Sequence, residues 1–219
     1  CDHSGKSNEI FSPVDDTNHS LNCSVCGAEV SQDVHSLDNG ICKACGFGCS
    51  HGTYVTENGT IKCAVCPVRM VAQVGDAYYP TLGEAVTAAS AIEGSTLTLL
   101  ADVKGAIAVP SRSTFTLDLN GKTLYGTGSN SAITVNTSST LTMKSSVAGG
   151  KVTGCNSASL AGTVKVYGTF NLESGAITGN KADLGGGVNI QEGTFKMTGG
   201  EITDNEVRSY GGAVYMVGV

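Results

Sequence analysis

Twelve residues that can bind a metal ion are crowded into the first third of the chain. All four histidines and eight of the nine cysteines lie between residues 1 and 66. Their spacing divides them into three sets of four: Cys1, His3, Cys23 and Cys26; His19, His35, Cys42 and Cys45; Cys49, His51, Cys63 and Cys66. Each set has the Cys₃His or Cys₂His₂ composition of closed structural zinc sites. The sequence therefore predicts about three structural Zn²⁺ ions per chain.

The three Cys-x-x-Cys pairs favour zinc because such a pair places two thiolates on one edge of a tetrahedron. Residues 1–66 have few large apolar side chains, so metal binding would supply stability that a core cannot. Disulfide bonds are the alternative for the eight cysteines. Disulfide bonds would not explain why the four histidines occur at regular positions relative to the cysteines. The division into sets is also open at one point, because His19 lies four residues before Cys23 and could replace His3.

Catalytic groups are not concentrated anywhere in the sequence. A catalytic zinc needs an open coordination position, which four protein ligands per site would fill. The seven carboxylates after residue 104 are scattered: Asp118, Glu173, Asp183, Glu192, Glu201, Asp204 and Glu206. Asp183, Asp204, Glu206 and Arg208 could form a small polar site, although solvated turns are the favoured interpretation. Cys155, the ninth cysteine, is expected to be a buried or turn thiol.

A repeat from Gly105 to Val219 determines the predicted architecture. Its first strand is marked by five apolar pairs: Ile107/Val109, Ile133/Val135, Val164/Val166, Val188/Ile190 and Val214/Met216. Two more short strands follow in each repeat and provide the ladders Phe115–Leu141–Phe170–Phe195, Leu117–Met143–Leu172–Met197 and Leu124–Val152–Ile177–Ile202. Three short strands cannot bury their own apolar face, but stacked repeats can. The repeat therefore predicts a parallel β-helix with three strands per coil.

The turns after the third strand carry Asn156, Asn180 and Asn205. We expect these residues to stack as a ladder of amides, each bonded to the turns above and below. The alternative is that asparagine merely tolerates a left-handed turn conformation.

The segment before the repeat contains the expected start of the solenoid. Val71–Tyr79 alternates as a strand, and Thr81 to Glu84 form a capping box. The helix that follows has Leu82, Ala85, Val86, Ala89 and Ile92 on one face. We interpret it as the cap on the open end of the solenoid. The predicted domains are zinc modules at 1–68, a strand with the capping helix at 69–104 and the β-helix at 105–219.

The coils resemble the right-handed β-helices of bacterial secreted and surface adhesin-like repeat proteins, and are similar to the polymorphic outer-membrane adhesins. The motifs that carry the resemblance are Gly186-Gly187-Val188, Gly211-Gly212-Ala213-Val214, Ile177-x-x-Asn180 and Ile202-x-x-Asn205, with Ile where that family has Phe. Residues 1–66 resemble zinc-ribbon and treble-clef modules in ligand spacing. The resemblance implies an all-β, right-handed β-helix and a secreted or cell-surface location in a bacterium. It implies no specific ligand.

Composition excludes several classes of function. The 40% hydrophobic content excludes a fully disordered chain. A net charge of −6 without any Lys/Arg run makes nucleic acid and anionic membranes unexpected partners. No stretch approaches the roughly 20 apolar residues of a membrane span. Because the sequence begins at Cys1 and ends after the first strand of a fifth coil, we expect a piece of a longer protein.

Three functions are compatible with these features. The first is a non-catalytic extracellular stalk, adhesin or glycan-binding module, whose partner would be a glycan or a host or cell-surface protein. The second is the N-terminal part of a carbohydrate-active β-helix enzyme, either a glycoside hydrolase or a polysaccharide lyase. The third is a fibre subunit that associates head to tail through its terminal coil.

Overall fold

The structure of the chain is a computed structural model. It describes residues 9–13, 18–23, 29–34, 37–38, 41–42, 53–64, 68–127, 130–156 and 162–217, the first five segments by their backbone alone. The chain divides into two compact units, Cys1–Arg69 and Met70–Val219. Within the described residues the fold is all-β with one helix.

The first unit consists of short antiparallel elements. Three strands form a sheet in the order β1-β2-β3, namely β1 (Glu9–Pro13), β2 (Asn18–Cys23) and β3 (Glu29–Val34). Two hairpins follow, formed by β4 (Leu37–Asp38) with β5 (Ile41–Cys42), and by β6 (Tyr54–Glu57) with β7 (Thr60–Cys63). Asn58 and Gly59 at the tip of the second hairpin have φ values of 49° and 73°. Positive φ at both central residues is the geometry of the tight two-residue turns that match strand twist.

The second unit opens with a hairpin where the sequence predicted one strand over Val71–Tyr79. The hairpin consists of β8 (Ala72–Val74) and β9 (Ala77–Tyr79), which pair antiparallel. The prediction of a single strand was wrong because the chain reverses at Gly75-Asp76. Gly75 has a φ of 57°, which glycine adopts without the steric cost that a Cβ would bring.

Helix α1 (Leu82–Ala91) begins as predicted. The Thr81 side chain caps it by accepting a hydrogen bond from the Glu84 backbone N–H at 3.3 Å. Its buried residues are Leu82, Ala85, Val86 and Ala89, and they belong to the core of the solenoid. Ile92 is 59% exposed, contrary to the prediction, because it lies beyond the last helical turn on extended backbone. No helix in the described part of the chain is long and apolar enough to cross a membrane.

The rest of the second unit is a parallel β-solenoid of about four turns. It starts with β10 (Ser95–Leu99) and β11 (Val103–Lys104). The first two coils are β12 (Ile107–Val109), β13 (Thr114–Asp118) and β14 (Thr123–Tyr125), and then β15 (Ile133–Val135), β16 (Thr140–Lys144) and β17 (Lys151–Thr153). The next two coils and a final strand are β18 (Val164–Val166), β19 (Thr169–Leu172), β20 (Ala176–Thr178), β21 (Lys181–Leu184), β22 (Val188–Ile190), β23 (Thr194–Met197), β24 (Glu201–Thr203), β25 (Glu206–Tyr210) and β26 (Val214–Met216).

Equivalent strands of successive coils form three long sheets. The first sheet is β12-β15-β18-β22-β26, the second contains β10-β13-β16-β19-β23 with β8 and β9 at its edge, and the third is β11-β14-β17-β20-β24. The registers confirm every predicted apolar ladder. Ile133 pairs with Val164, Leu141 with Phe170, and Val152 with Ile177. Inward side chains of these ladders in the middle coils are fully buried, which accounts for the stacking.

A fourth sheet in the last two coils was not predicted from the sequence. Strands β21 and β25 pair in parallel. Lys181 forms an ion pair with Glu206, and Arg208 forms one with Asp183, each at 2.7 Å. The three-strand description therefore holds for the first two coils, while the third and fourth coils have four strands each.

The aromatic ladder of the second sheet gives a measurable test of coil stacking. Phe170 is fully buried and stacks on Phe195 with ring centroids 5.6 Å apart, whereas Phe195 lies half-buried on the last complete coil. We expect Phe170→Ala to lower the free energy of unfolding by about 3–4 kcal/mol and Phe195→Ala by about half as much. Chemical denaturation followed by circular dichroism measures both. Equal losses would contradict the view that burial between two coils sets the cost.

Candidate functional site

The predicted zinc ligands fall mainly outside the described residues. The structure describes the backbone of His19, Cys23 and Cys42, and Cys63 with its side chain. Eight ligands lie outside the described residues: Cys1, His3, Cys26, His35, Cys45, Cys49, His51 and Cys66. Among the residues described with side chains, no three His, Cys, Asp or Glu residues stand close enough to hold a metal ion.

The three-stranded sheet separates two of the predicted ligands. Cys23, at the end of β2, pairs with Glu9 at the start of β1. His19, near the other end of β2, pairs with Pro13 on one side and Asp33 on the other. Four residues of strand span about 13 Å. Cys23 and His19 therefore lie at opposite ends of the sheet.

The chain leaves the His19 end of the sheet after β3. Asn18 pairs with Val34, and the residue that follows Val34 in the sequence is His35. Leu37, which is two residues after His35 in the sequence, pairs with Cys42 in the β4–β5 hairpin. The Cys23 end of the sheet instead adjoins Glu9, the first described residue after Cys1 and His3.

The β6–β7 hairpin positions Cys63. Tyr54 pairs with Cys63, and the Ala64 N–H donates to the Thr53 carbonyl at 2.9 Å. The Cys63 N–H donates to the Val68 carbonyl at 3.0 Å, so the chain folds back on itself directly after this cysteine. The Cys63 residue is 4% exposed. Its hairpin partner strand starts three residues after His51 in the sequence.

A ladder of asparagine amides crosses the last two coils. The Asn180 Nδ2 donates to the Asn205 Oδ1 at 2.9 Å and to the Val152 carbonyl at 3.2 Å. The Asn205 Nδ2 donates to the Ile177 carbonyl at 2.8 Å. Asn180 is completely buried, and its own Oδ1 accepts the Cys155 N–H at 3.1 Å. This part of the predicted ladder is confirmed, and its role is to hold the turns of adjacent coils in register.

Cys155 occupies the place in the ladder that the sequence assigned to Asn156. The isolated pairing of Asn156 with Lys181 puts Cys155 opposite Asn180. The prediction was wrong because it aligned the coils by residue type. The spacing Thr153-Gly154-Cys155 against Thr178-Gly179-Asn180 would have identified the correct residue. One coil earlier, a Cβ at Gly126 would overlap the Cys155 Sγ, so the missing side chain of this glycine leaves room for the thiol.

The Cys155 thiol is built into the core of the turn. It is 2% exposed and lies 3.8 Å from the Asn130 carbonyl oxygen, towards which it donates. Burial disfavours the thiolate and raises the pKa of Cys155. A thiol with a raised pKa is a poor nucleophile, which agrees with the predicted buried thiol.

Within the described residues, no three of the candidate catalytic carboxylates lie close enough together to hold a metal ion. Asp118 is 6% exposed and accepts hydrogen bonds from the Asn120 and Ser146 N–H groups at 2.8 and 2.9 Å. Asp183 and Glu206 are used in the ion pairs between β21 and β25. The other candidates are exposed side chains: Glu173, Glu192, Glu201 and Asp204.

Comparison with known proteins gives no match. No protein-family model matches the chain, no curated protein does, and no solved structure does. The adhesin-like identity and the zinc modules therefore stay predictions from the sequence motifs.

Asn180 provides a test of the amide ladder. We expect Asn180→Ala to lower the free energy of unfolding by about 2–4 kcal/mol, because it leaves buried backbone groups of two coils without partners. Asn205→Ala, at the half-buried last rung, should cost about 1 kcal/mol. Urea denaturation of the full chain measures both. If the two variants lost the same stability, the amides would not act as a bridge between coils.

Proposed function

We propose that this chain is a non-catalytic, extracellular or cell-surface structural and adhesion module of a larger bacterial protein, in which structural zinc ions organise residues 1–68. The motif resemblance supports the location and the bacterial source. Glycans or host and cell-surface proteins are the partner classes that such a module would contact. The parallel solenoid suits this role, because it exposes regular columns of side chains along its length.

The contacts made by three acidic side chains support the non-catalytic part of the proposal. Glycosidases need two carboxyl groups facing each other across the scissile bond. Here Asp118 binds backbone N–H groups of turns, and Asp183 and Glu206 neutralise basic residues of neighbouring strands. Each of these bonds stabilises the coil, so these three groups are engaged in maintaining the fold.

Two finer architectural features belong to the same proposal. The coils are proposed to wind to the right, as connections between parallel strands of one sheet nearly always do. Helix α1 is proposed to cap the solenoid, since its buried face joins the core beside the first coils. A cap at this end would disfavour head-to-tail fibre growth, because it would cover the first coil, on which the terminal coil of another chain would have to stack.

The strand register supports the division of zinc ligands into the three predicted sets. Ligand atoms lie about 2.0–2.3 Å from a zinc ion. Two residues at opposite ends of β2 are poorly placed to share one such site, so the register favours His19 with His35 and Cys42 over His19 with Cys23. Likewise the β6–β7 pairing favours grouping Cys63 with the ligands that precede Tyr54.

Metal analysis tests the zinc sites. Mass spectrometry of the purified chain should give about three zinc ions per chain with eight reduced cysteines in residues 1–66. Cys63→Ser should remove about one ion, because three ligands bind zinc far more weakly than four. Cys155→Ser is the matched control and should leave the zinc content unchanged. A metal-free chain with oxidised cysteines would replace zinc with disulfide bonds in this unit.

Enzyme assays test the non-catalytic assignment. Incubation of the chain with neutral and uronate-containing polysaccharides should release no new reducing ends and no unsaturated uronate products, because Asp118, Asp183 and Glu206 are engaged in contacts that hold the coils together. Product release that Glu173→Gln or Glu201→Gln abolished would contradict the proposal and favour a carbohydrate-active enzyme.

A further inference from the structure

A cleft of about 360 Å³ lies on the outward face of the first sheet. This volume is within the range of small-ligand sites. The residues that carry its chemistry come from three successive coils and one turn. They are Ala108, Asn130, Ser131, Thr134, Lys165 and Tyr167.

The outward column of the first sheet explains why a cleft forms at this place. Ala108 pairs with Thr134, and Thr134 pairs with Lys165. Because strand residues alternate in direction, these three side chains point away from the buried valines and isoleucines on either side. The first two are small and the third is long, so an open space remains beside the lysine stem.

Lys165 supplies a positive charge that no described carboxylate neutralises. None of the ion pairs within the described residues includes it. Its Nζ lies 5.1 Å from the centroid of the Tyr167 ring, and this cation–π contact holds the ammonium group beside the cleft. The outward column contains no acid, since its other members are Ala108, Thr134, Asn189 and Tyr215. In a chain with a net charge of −6, this cation makes the cleft complementary to an anionic ligand.

The remaining polar groups of the cleft suit a ligand with many hydroxyls. Asn130, Thr134 and Tyr167 provide amide and hydroxyl groups that both donate and accept hydrogen bonds. The Ser131 hydroxyl donates to the Gly162 carbonyl at 2.6 Å, so its oxygen is oriented as an acceptor. An aliphatic or aromatic ligand would leave these groups desolvated and unpaired, at a cost in affinity.

We propose that this cleft binds an acidic saccharide, with the sugar carboxylate at the Lys165 ammonium group and ring hydroxyls at Asn130 and Thr134. The carboxylate of such a sugar is ionised at neutral pH, as other carboxylic acids are. Tyr167 positions the lysine and offers its hydroxyl at the edge of the site. This inference rests on the proposed surface role and deepens it by naming the class of glycan.

A titration followed by NMR tests the proposal on the full chain. The ligand is α-1,4-linked trigalacturonate, and the neutral counterpart is α-1,4-linked galactotriose. We expect trigalacturonate to shift the amide resonances of residues 106–108, 130–134 and 165–167, with a dissociation constant on the order of 1 mM. Galactotriose should bind at least about tenfold more weakly, because it lacks the charged contact.

Variants separate this site from general electrostatic attraction. Lys165→Met should weaken trigalacturonate binding at least about tenfold. Lys196→Met removes the same charge from an exposed position on the second sheet and should leave the affinity unchanged. Thr134→Leu fills the cleft without altering charge, and it should abolish the shifts while the rest of the spectrum is preserved.

Four results of these experiments would overturn the proposal. Wild-type affinity in Lys165→Met, equal binding of the neutral sugar, or no binding at 10 mM trigalacturonate, about ten times the expected dissociation constant, would each do so. Equal shifts with citrate would show that the cleft recognises carboxylate alone and would also overturn it. Zinc content measured on the same sample keeps the two proposals distinct: a zinc-loaded chain that binds no saccharide contradicts this inference only.

Discussion

The solenoid depends on parallel pairing between equivalent strands of successive coils. Its strands have two to five residues, and none satisfies its backbone or buries its apolar side chains within its own coil. Val164 is completely buried because its strand lies between those of Ile133 and Val188. Stability is therefore a sum of contacts between neighbouring coils. The position of a residue along the axis, more than its type, determines what its loss costs, as the contrast between Phe170 and Phe195 illustrates.

Pairing fixes the inner side chains and the turns, and it leaves the outer columns free to vary. In the turns a buried amide, that of Asn180, bonds with groups of both adjacent coils, and a buried Asp118 holds N–H groups of two coils. On the outside the column of the first sheet changes from alanine to threonine to lysine without disturbing the ladder beneath it. Chemistry that differs from coil to coil can arise only at such outward positions, which is why the cleft beside Lys165 is found there.

The sequence predicted the inward ladders correctly because an apolar pair with one intervening residue specifies both strand and face. It was less informative about the turns. Asn156 was chosen over Cys155 because asparagine recurs in the later coils, whereas register is set by distance from the third strand. The β21–β25 sheet was missed because its main signal is complementary charge. Lys181 and Asp183 match Glu206 and Arg208 only once the register of the coils is known.

The proposed zinc sites and the cleft beside Lys165 were predictable to different extents, because their residues lie at different distances along the sequence. Zinc ligation depends on ligand chemistry and local spacing, so the Cys-x-x-Cys pairs indicate it directly from the sequence. Grouping the ligands requires knowing which strand ends lie together, so the proposed grouping depends on the pairings of Cys23 with Glu9 and of Asn18 with Val34. The cleft requires still more, because Ala108, Thr134 and Lys165 are 26 and 31 residues apart in sequence and become neighbours only through three stacked coils. A site assembled across coils has no local sequence motif, so it can be recognised only once the register of the stacked coils is known.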